Sequence, residues 1–266
     1  MKNNSLTIQT LISTMHQKDY SLLDKMNIQT DAIVINQCDR NKIEEVEYKG
    51  HKILWISLKE RGIGLSRNTA LMRATADIVL FADDDVVYEE DYGKKIIQEF
   101  ERYPKIDFMA FSLTSHRKGE SKQLKKIILP SKRIYWFNAL RYGTYHFAVR
   151  RQSAVRVNLW FHLLFGGGTK YSCGEDSIFI SEALKKGLKV RSSSVYLGDV
   201  FHATSTWFKG YTEKYWFDKG VLLGYLFGVW AYVLTIPLLL KHPEQTKTLG
   251  FYQAIKKVYQ GIRQGV

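Results

Sequence analysis

Apolar residues in this chain fall into short runs separated by stretches with helical spacing. Residues 32–35, 53–58 (broken by Ser57) and 78–82 (Ile-Val-Leu-Phe-Ala) are nearly unbroken apolar runs, the pattern of strands covered on both faces. Residues 6–12 read as an earlier strand and 190–196 as a later one. Between them the spacing predicts helices at 20–26, at 66–76 with Ala70, Leu71 and Ala74 on one face, at 89–103, and at 178–186 closed by Gly187. Alternation of this kind predicts an α/β fold: a mainly parallel sheet flanked by helices, with ligands bound beyond the carboxyl ends of the strands. Residues 108–149 carry a less regular pattern. Beyond about residue 206 the chain turns aromatic and then strongly apolar, and 221–240 holds no charged residue. We therefore expect a catalytic domain over 1–205 and a helical, apolar extension over 206–266.

The length of 266 residues suits one large α/β domain with an appendage, and 45% hydrophobic with 24% charged residues is a globular composition. The formal net charge of +13 favours a polyanionic partner: nucleic acid, acidic membrane or phosphorylated substrate. No nucleic-acid recognition motif is present, so nucleic acid is not expected. Cys38 and Cys173 stand far apart with no metal-ligand spacing, as expected of reduced cytosolic thiols. The start of the chain lacks the long apolar region of a secretory signal, which predicts a cytoplasmic catalytic part.

Two acidic clusters carry the candidate chemistry. Asp83, Asp84 and Asp85 directly follow the apolar run 78–82. Adjacent carboxylates repel one another. In extended backbone Asp83 and Asp85 would face one side and Asp84 the other. A Mg²⁺ or Mn²⁺ ion suits such oxygen ligands and commonly sits between protein and phosphates; the plainer reading is a solvated acidic turn. The second cluster, Glu175 and Asp176, ends the glycine-rich stretch that starts at Phe165 and opens a helix. Ser172 and Glu175 have capping-box spacing, so Glu175 has a purely structural reading, which Asp176 lacks. Ser66 reads most simply as a helix N-cap.

The stretch Glu60-Arg61-Gly62-Ile63-Gly64-Leu65-Ser66-Arg67-Asn68, followed by Ala82-Asp83-Asp84-Asp85-Val86, resembles the donor half of family 2 glycosyltransferases with the GT-A fold. The resemblance covers about residues 5–205 and includes Gly174-Glu175-Asp176-Ser177, similar to members acting in bacterial polysaccharide assembly. It implies that Asp83, with Asp84 beside it, meets the nucleotide. Asp85, together with Asp83, would hold the Mn²⁺ or Mg²⁺ bridging the diphosphate, and Arg67 would brace the acidic motif or the nucleotide. A His in the region of His202 often supplies a third metal ligand. Where the family usually carries an Asp for the base, this chain has Ile35-Asn36-Gln37-Cys38-Asp39, so Asn36, Gln37 or Asp39 takes that place. Asp176 would be the general base and Glu175 would orient the acceptor. The implied reaction is an inverting transfer from a nucleotide-diphosphate sugar, a UDP-sugar by expectation, to a glycan or lipid-diphosphate-linked hydroxyl in capsule, exopolysaccharide or lipopolysaccharide synthesis. Two other readings are a sugar-1-phosphate nucleotidyltransferase, whose glycine-rich opening loop is missing from 8–17, and a catalytically silent membrane-bound interaction protein.

The run 221–240 is long enough to cross a bilayer. The tail beyond it carries Lys241, Lys247, Lys256, Lys257 and Arg263 against Glu244, and a single crossing would place these basic residues outside. A helix lying in the cytoplasmic interface, or a re-entrant one, is therefore preferred, with the basic residues on anionic lipid. A buried helix or a homo-oligomer interface is the alternative. Trp207, Tyr211 and Trp216 either stack on acceptor sugar or pack in a core.

Overall fold

The computed structural model describes residues 5–117, 123–127, 129–202, 210–241 and 243–265. In chain order the strands are β1 (Ile8–Met15), β2 (Asp31–Gln37), β3 (Lys42–Tyr48), β4 (His51–Leu58), β5 (Ile78–Asp83), β6 (Val86–Tyr88), β7 (Phe108–Arg117), β8 (Gln123–Ile127), β9 (Phe147–Arg150) and β10 (Val190–His202). The helices are α1 (Leu22–Lys25), α2 (Ile63–Arg73), α3 (Tyr92–Arg102), α4 (Arg151–Arg156), α5 (Glu175–Lys185), α6 (Glu213–Phe227), α7 (Ala231–Lys241), α8 (Pro243–Thr246) and α9 (Phe251–Gly265).

One sheet runs in the order β3-β4-β2-β1-β5-β9-β7-β10-β6, with β8 added to β7. The strands expected from the sequence, β4, β2, β1 and β5, form one parallel block, and β7 pairs in parallel with β10. Alternate residues of each strand feed opposite cores. Leu11, Ile33, Val79 and Phe81 meet α2, α4 and α5 on one face. Ile12, Val34, Ile78 and Leu80 meet α1 and α3 on the other. The expected α/β sheet with flanking helices is thus present. Antiparallel pairing enters in the second half, where β9 lies between β5 and β7 and runs opposite to both. It also enters at the β3 edge, which the apolar pattern does not reveal. β3 sets Lys42, Glu44, Val46 and Tyr48 on one face and Ile43, Glu45 and Glu47 on the other, and returns into β4 through Lys49 (φ 50°) and Gly50 (φ 80°), the left-handed pair of a tight hairpin.

Parallel register brings the carboxyl ends of β1, β2, β4 and β5 level: Ser13 lies beside Asp83, Thr14 beside Asn36, and Asn36 beside Ser57. Candidate donor-binding residues distant in sequence thereby share one edge.

The extension is helical, as expected. Residues 213–241 form one stretch long and apolar enough to cross a membrane, of mean hydropathy 1.9, and only 33% of its most apolar window is buried. It is interrupted at Gly228 (φ 55°), where α6 gives way to a short 3₁₀ turn and α7. α6 and α9 run parallel at very close range. A Cβ on Gly261 would fall 2.0 Å from the Phe217 carbonyl oxygen, and one on Gly220 would fall 2.1 Å from that of Val258. Trp216 is buried in this small core with Tyr211 beside it, so both pack there, while Trp207 lies outside the described residues. The boundary expected at residues 205 and 206 also lies outside them.

The α6–α9 contact yields a direct prediction. Gly261→Val forces the two backbones apart and should cost about 1–3 kcal/mol. Urea denaturation followed by circular dichroism checks this.

Candidate active site

The site is built around one buried cation. Arg67, in the second turn of α2, is 3% exposed. Its Nη2 donates to Asp83 Oδ1 at 2.7 Å and its Nη1 to Glu175 Oε1 at 3.0 Å, so a single guanidinium joins the two acidic clusters. Phe161 lies against its face, 5.3 Å from ring centroid to guanidinium carbon. Burial opposes the charge, but Asp83 and Glu175 outweigh it and hold Arg67 above its ordinary pKa. Its Nε has no hydrogen-bond partner among the described residues. The neighbouring Asn68 bonds both backbone groups of Phe161, accepting from its N–H at 2.8 Å and donating to its carbonyl at 2.9 Å. This ties α2 to the chain that leads toward α5.

Asp83 is the last residue of β5, while Asp84 and Asp85 form the turn into β6 rather than extended chain. The Thr14 hydroxyl donates to Asp84 Oδ2 at 2.6 Å. Loss of surrounding water raises the Asp84 pKa, and the charges of Asp83 and Asp85 add to that rise. The Asp85 carbonyl accepts from the Phe201 amide at 2.8 Å, so the backbone of β10 reaches the acidic turn. His202 follows Phe201 in β10, but its side chain lies outside those described.

Glu175 and Asp176 begin α5. The expected capping box is not formed. The N-cap is Gly174, in the left-handed region at φ 109°, and the Ser172 hydroxyl turns instead to Asp218 at 2.7 Å. Glu175 is spent on Arg67, and a Cβ on Gly166 would fall 2.7 Å from the Glu175 carboxylate, so this loop needs glycine for the carboxylate to approach. Ser66 is likewise no cap: Gly62 holds that position, and the Ser66 hydroxyl bonds Ser13 at 2.8 Å inside the core. Asp176 is partly buried. Burial, and then the charge of Glu175, push its pKa up to about 6, against the opposing pull of the Ser177 amide, Arg67 and Lys219.

Of the residues expected at the base of the nucleotide, Asn36 is buried and bonds the Gln17 backbone through both ends of its amide, at 3.0 and 2.9 Å. Gln37 accepts from the Gly62 amide at 2.8 Å and so sets the start of α2. Asp39 is largely exposed and pairs with Arg61 at 2.7 Å.

Four residues at the site carry no signal in the sequence. Tyr145, in a short 3₁₀ turn before β9, is pushed up to about 12 by burial and then by the charges of Asp83, Asp176 and Asp85, so it lies within electrostatic reach of both clusters. Asp218 of α6 is 1% exposed and accepts from the Ser172 amide at 2.9 Å, the Ser172 hydroxyl at 2.7 Å and Lys214 at 2.8 Å. Lys219 follows it and acts on the charge of Asp176. Leu222, one turn further, fills the space a side chain at Gly174 would need, at 2.5 Å. The extension thus clamps the loop that presents Glu175 and Asp176.

The oxygens of Asp83 and Asp85 suit a hard divalent cation, and Mg²⁺ is commonly held by one or two carboxylates plus substrate phosphates. No group of three His, Cys, Asp or Glu side chains able to hold a metal comes together among the described residues. The donor set therefore fits an ion completed by diphosphate oxygens rather than an all-protein cage.

The chain thus combines a mixed sheet flanked by helices with a buried Arg that joins a strand-end acidic motif to a helix-start acidic pair. The "Glycosyl transferase family 2" model matches residues 20–159, and the chain belongs to that family. The match includes Arg67 and Asp83 to Asp85 and ends before Glu175. Among solved structures the chain is similar to S. aureus TarS 1–349, with a TM-score of 0.62 at 13% identity, covering 98% of this chain and 83% of that one. The TarS 1–349 complex with UDP-GlcNAc gives 0.63 at 14% identity, covering 92% and 75%. Against the structure of S. aureus TarS the TM-score is 0.59 at 12% identity, covering 93% of this chain and 44% of that one. At these identities the likeness concerns the fold. No curated protein matches.

Two outcomes follow from the site. Arg67→Leu leaves two carboxylates facing each other without their cation and should lower stability by about 3–5 kcal/mol in urea denaturation. Asp176 binds a proton more tightly folded than unfolded, so its contribution to stability is present at low pH and is lost as pH rises through about 6. Asp176→Asn should therefore raise the melting temperature at neutral pH, measured by scanning calorimetry.

Proposed function

We propose that this chain moves a sugar from a UDP-sugar to an acceptor hydroxyl by a single displacement with inversion, with Asp176 as general base. The observation that supports this reading is the Asp83–Arg67–Glu175 bridge, which ties the acidic turn after β5 to the start of α5, where Asp176 follows. Asp176, raised to about 6, is ionised at neutral pH yet basic enough to take the proton of the attacking hydroxyl. Glu175, oriented by Arg67, and the Tyr145 phenol line the approach of the acceptor. Asp83 and Asp84 face the nucleotide, with Asn36, Gln37 and Asp39 near its base, directly or through the loops they anchor. Asp85 and Asp83, with His202 as a further ligand, hold Mn²⁺ or Mg²⁺. Such an ion, when bound, offsets the charge that gathers on the departing diphosphate.

S. aureus TarS 1–349 in complex with UDP-GlcNAc supports a UDP-sugar as donor. Residues 1–205 form the catalytic domain and 206–266 the extension that steadies the base loop. The exposed apolar helix and the basic tail support a place on the cytoplasmic face of the membrane. There a lipid-diphosphate-linked acceptor or growing glycan is extended in cell-surface polysaccharide synthesis.

Two measurements test this. Calorimetric titration with UDP should show binding that needs Mn²⁺ or Mg²⁺ and weakens at least about tenfold in Asp85→Ala; an unchanged affinity in that variant sinks the metal assignment. Release of UDP from a panel of UDP-sugars should fall on the acid side with a midpoint near pH 6, set by Asp176. A flat profile through that range removes Asp176 as base.

A further inference from the structure

An apolar cleft of about 510 Å³ lies apart from the acidic site, between the 3₁₀ turn Trp136–Arg141, α5 and the end of α6. Ile134, Leu140, Leu184, Leu188, Leu226 and Phe227 line it. Trp136, which also lines it, is 70% exposed, and its neighbour Phe137 is 69% exposed. Trp230, three residues after the lining Phe227, is 69% exposed, and Val229 and Val233, close by in sequence, are 68% and 63% exposed. Large exposed apolar side chains gathered near an apolar cleft mark an interaction surface.

Basic residues outnumber acids around this surface, where Glu182, paired with Lys185 at 3.3 Å, is the acid beside the cleft. Lys132, Arg133, Arg141, Lys185 and Lys186 are all exposed, and residues 129–151 contain no Asp or Glu. Aromatic rings with apolar bodies and polar edges settle at the level of lipid headgroups, and Lys and Arg around them reach anionic phosphates. A two-fold dimer through the same face would set this basic surface against its own copy.

We propose that this face, with Trp136, Phe137 and Trp230 as anchors, docks on an anionic bilayer and opens the cleft to an acyl or isoprenoid chain. It deepens the membrane-side reading given above, and its use for the acceptor's lipid rests on that reading; the docking itself does not. The helix Glu213–Lys241 then lies along the bilayer rather than across it, because α6 is packed on the base loop and α9.

Co-sedimentation with vesicles of phosphatidylcholine, with and without phosphatidylglycerol, tests the proposal. The full chain should bind the anionic vesicles and release them as salt rises. Trp136→Ala with Phe137→Ala, and separately Trp230→Ala, should each weaken binding about tenfold. All three side chains are exposed, so the variants should fold and bind UDP as the parent does. Wild type that ignores anionic vesicles, or variants that bind as tightly as wild type, overturns the proposal. A dimer in light scattering that these substitutions dissociate also overturns it, in favour of a protein interface. Loss of UDP binding in the parent itself would instead defeat the catalytic reading while leaving vesicle binding intact.

Discussion

The Arg67 guanidinium is the contact on which the architecture turns. A buried arginine is tolerable only where carboxylates surround it, and each carboxylate here comes from a different layer of the fold: Asp83 from the central strand β5, Glu175 from α5. The charge fixes their separation more firmly than apolar packing would, because sliding either element by a residue strands an ion. The cost of burial is met by geometry that catalysis also needs, so stability and site are set by the same three side chains.

The consequence reaches Asp176. With Glu175 committed to Arg67, the next carboxyl is left in a poorly hydrated place beside a like charge, and its pKa rises. Two neighbouring acids of the same chemistry thus differ because only one is hydrogen-bonded to the cation. The loop bearing them is held from the far side by Asp218 and Leu222 of α6. The last quarter of the chain is therefore part of the working site as well as an appendage.

What could be read from the sequence was whatever depends on short-range pattern. The run Ile78 to Ala82 announces a covered strand because both faces are apolar, and the acids after it announce a site because nothing local offsets them. β3 escapes notice because its glutamates look like a solvated loop; only pairing with β4 makes it a strand. Ser66 and Ser172 mislead for one shared reason: spacing offers each a local cap, while the fold supplies a distant partner, Ser13 or Asp218. Tyr145 has no neighbours in sequence that betray it, and only the crossing of β9 between β5 and β7 brings it within electrostatic reach of the acids. Asn36 was legible as a polar residue at a strand end, but its bonds to Gln17 belong to a loop whose course the sequence does not state.

The placement of β9 also bears on how the protein is made. β5, the most apolar strand, is closed on one side by β1 early in translation, but its other edge waits for Phe147–Arg150. Arg67 similarly waits for Glu175. A nascent chain therefore leaves the ribosome with a bare hydrophobic strand edge and a half-neutralised cation through the synthesis of much of the domain. An exposed edge of this kind invites pairing with other chains until β9 closes it.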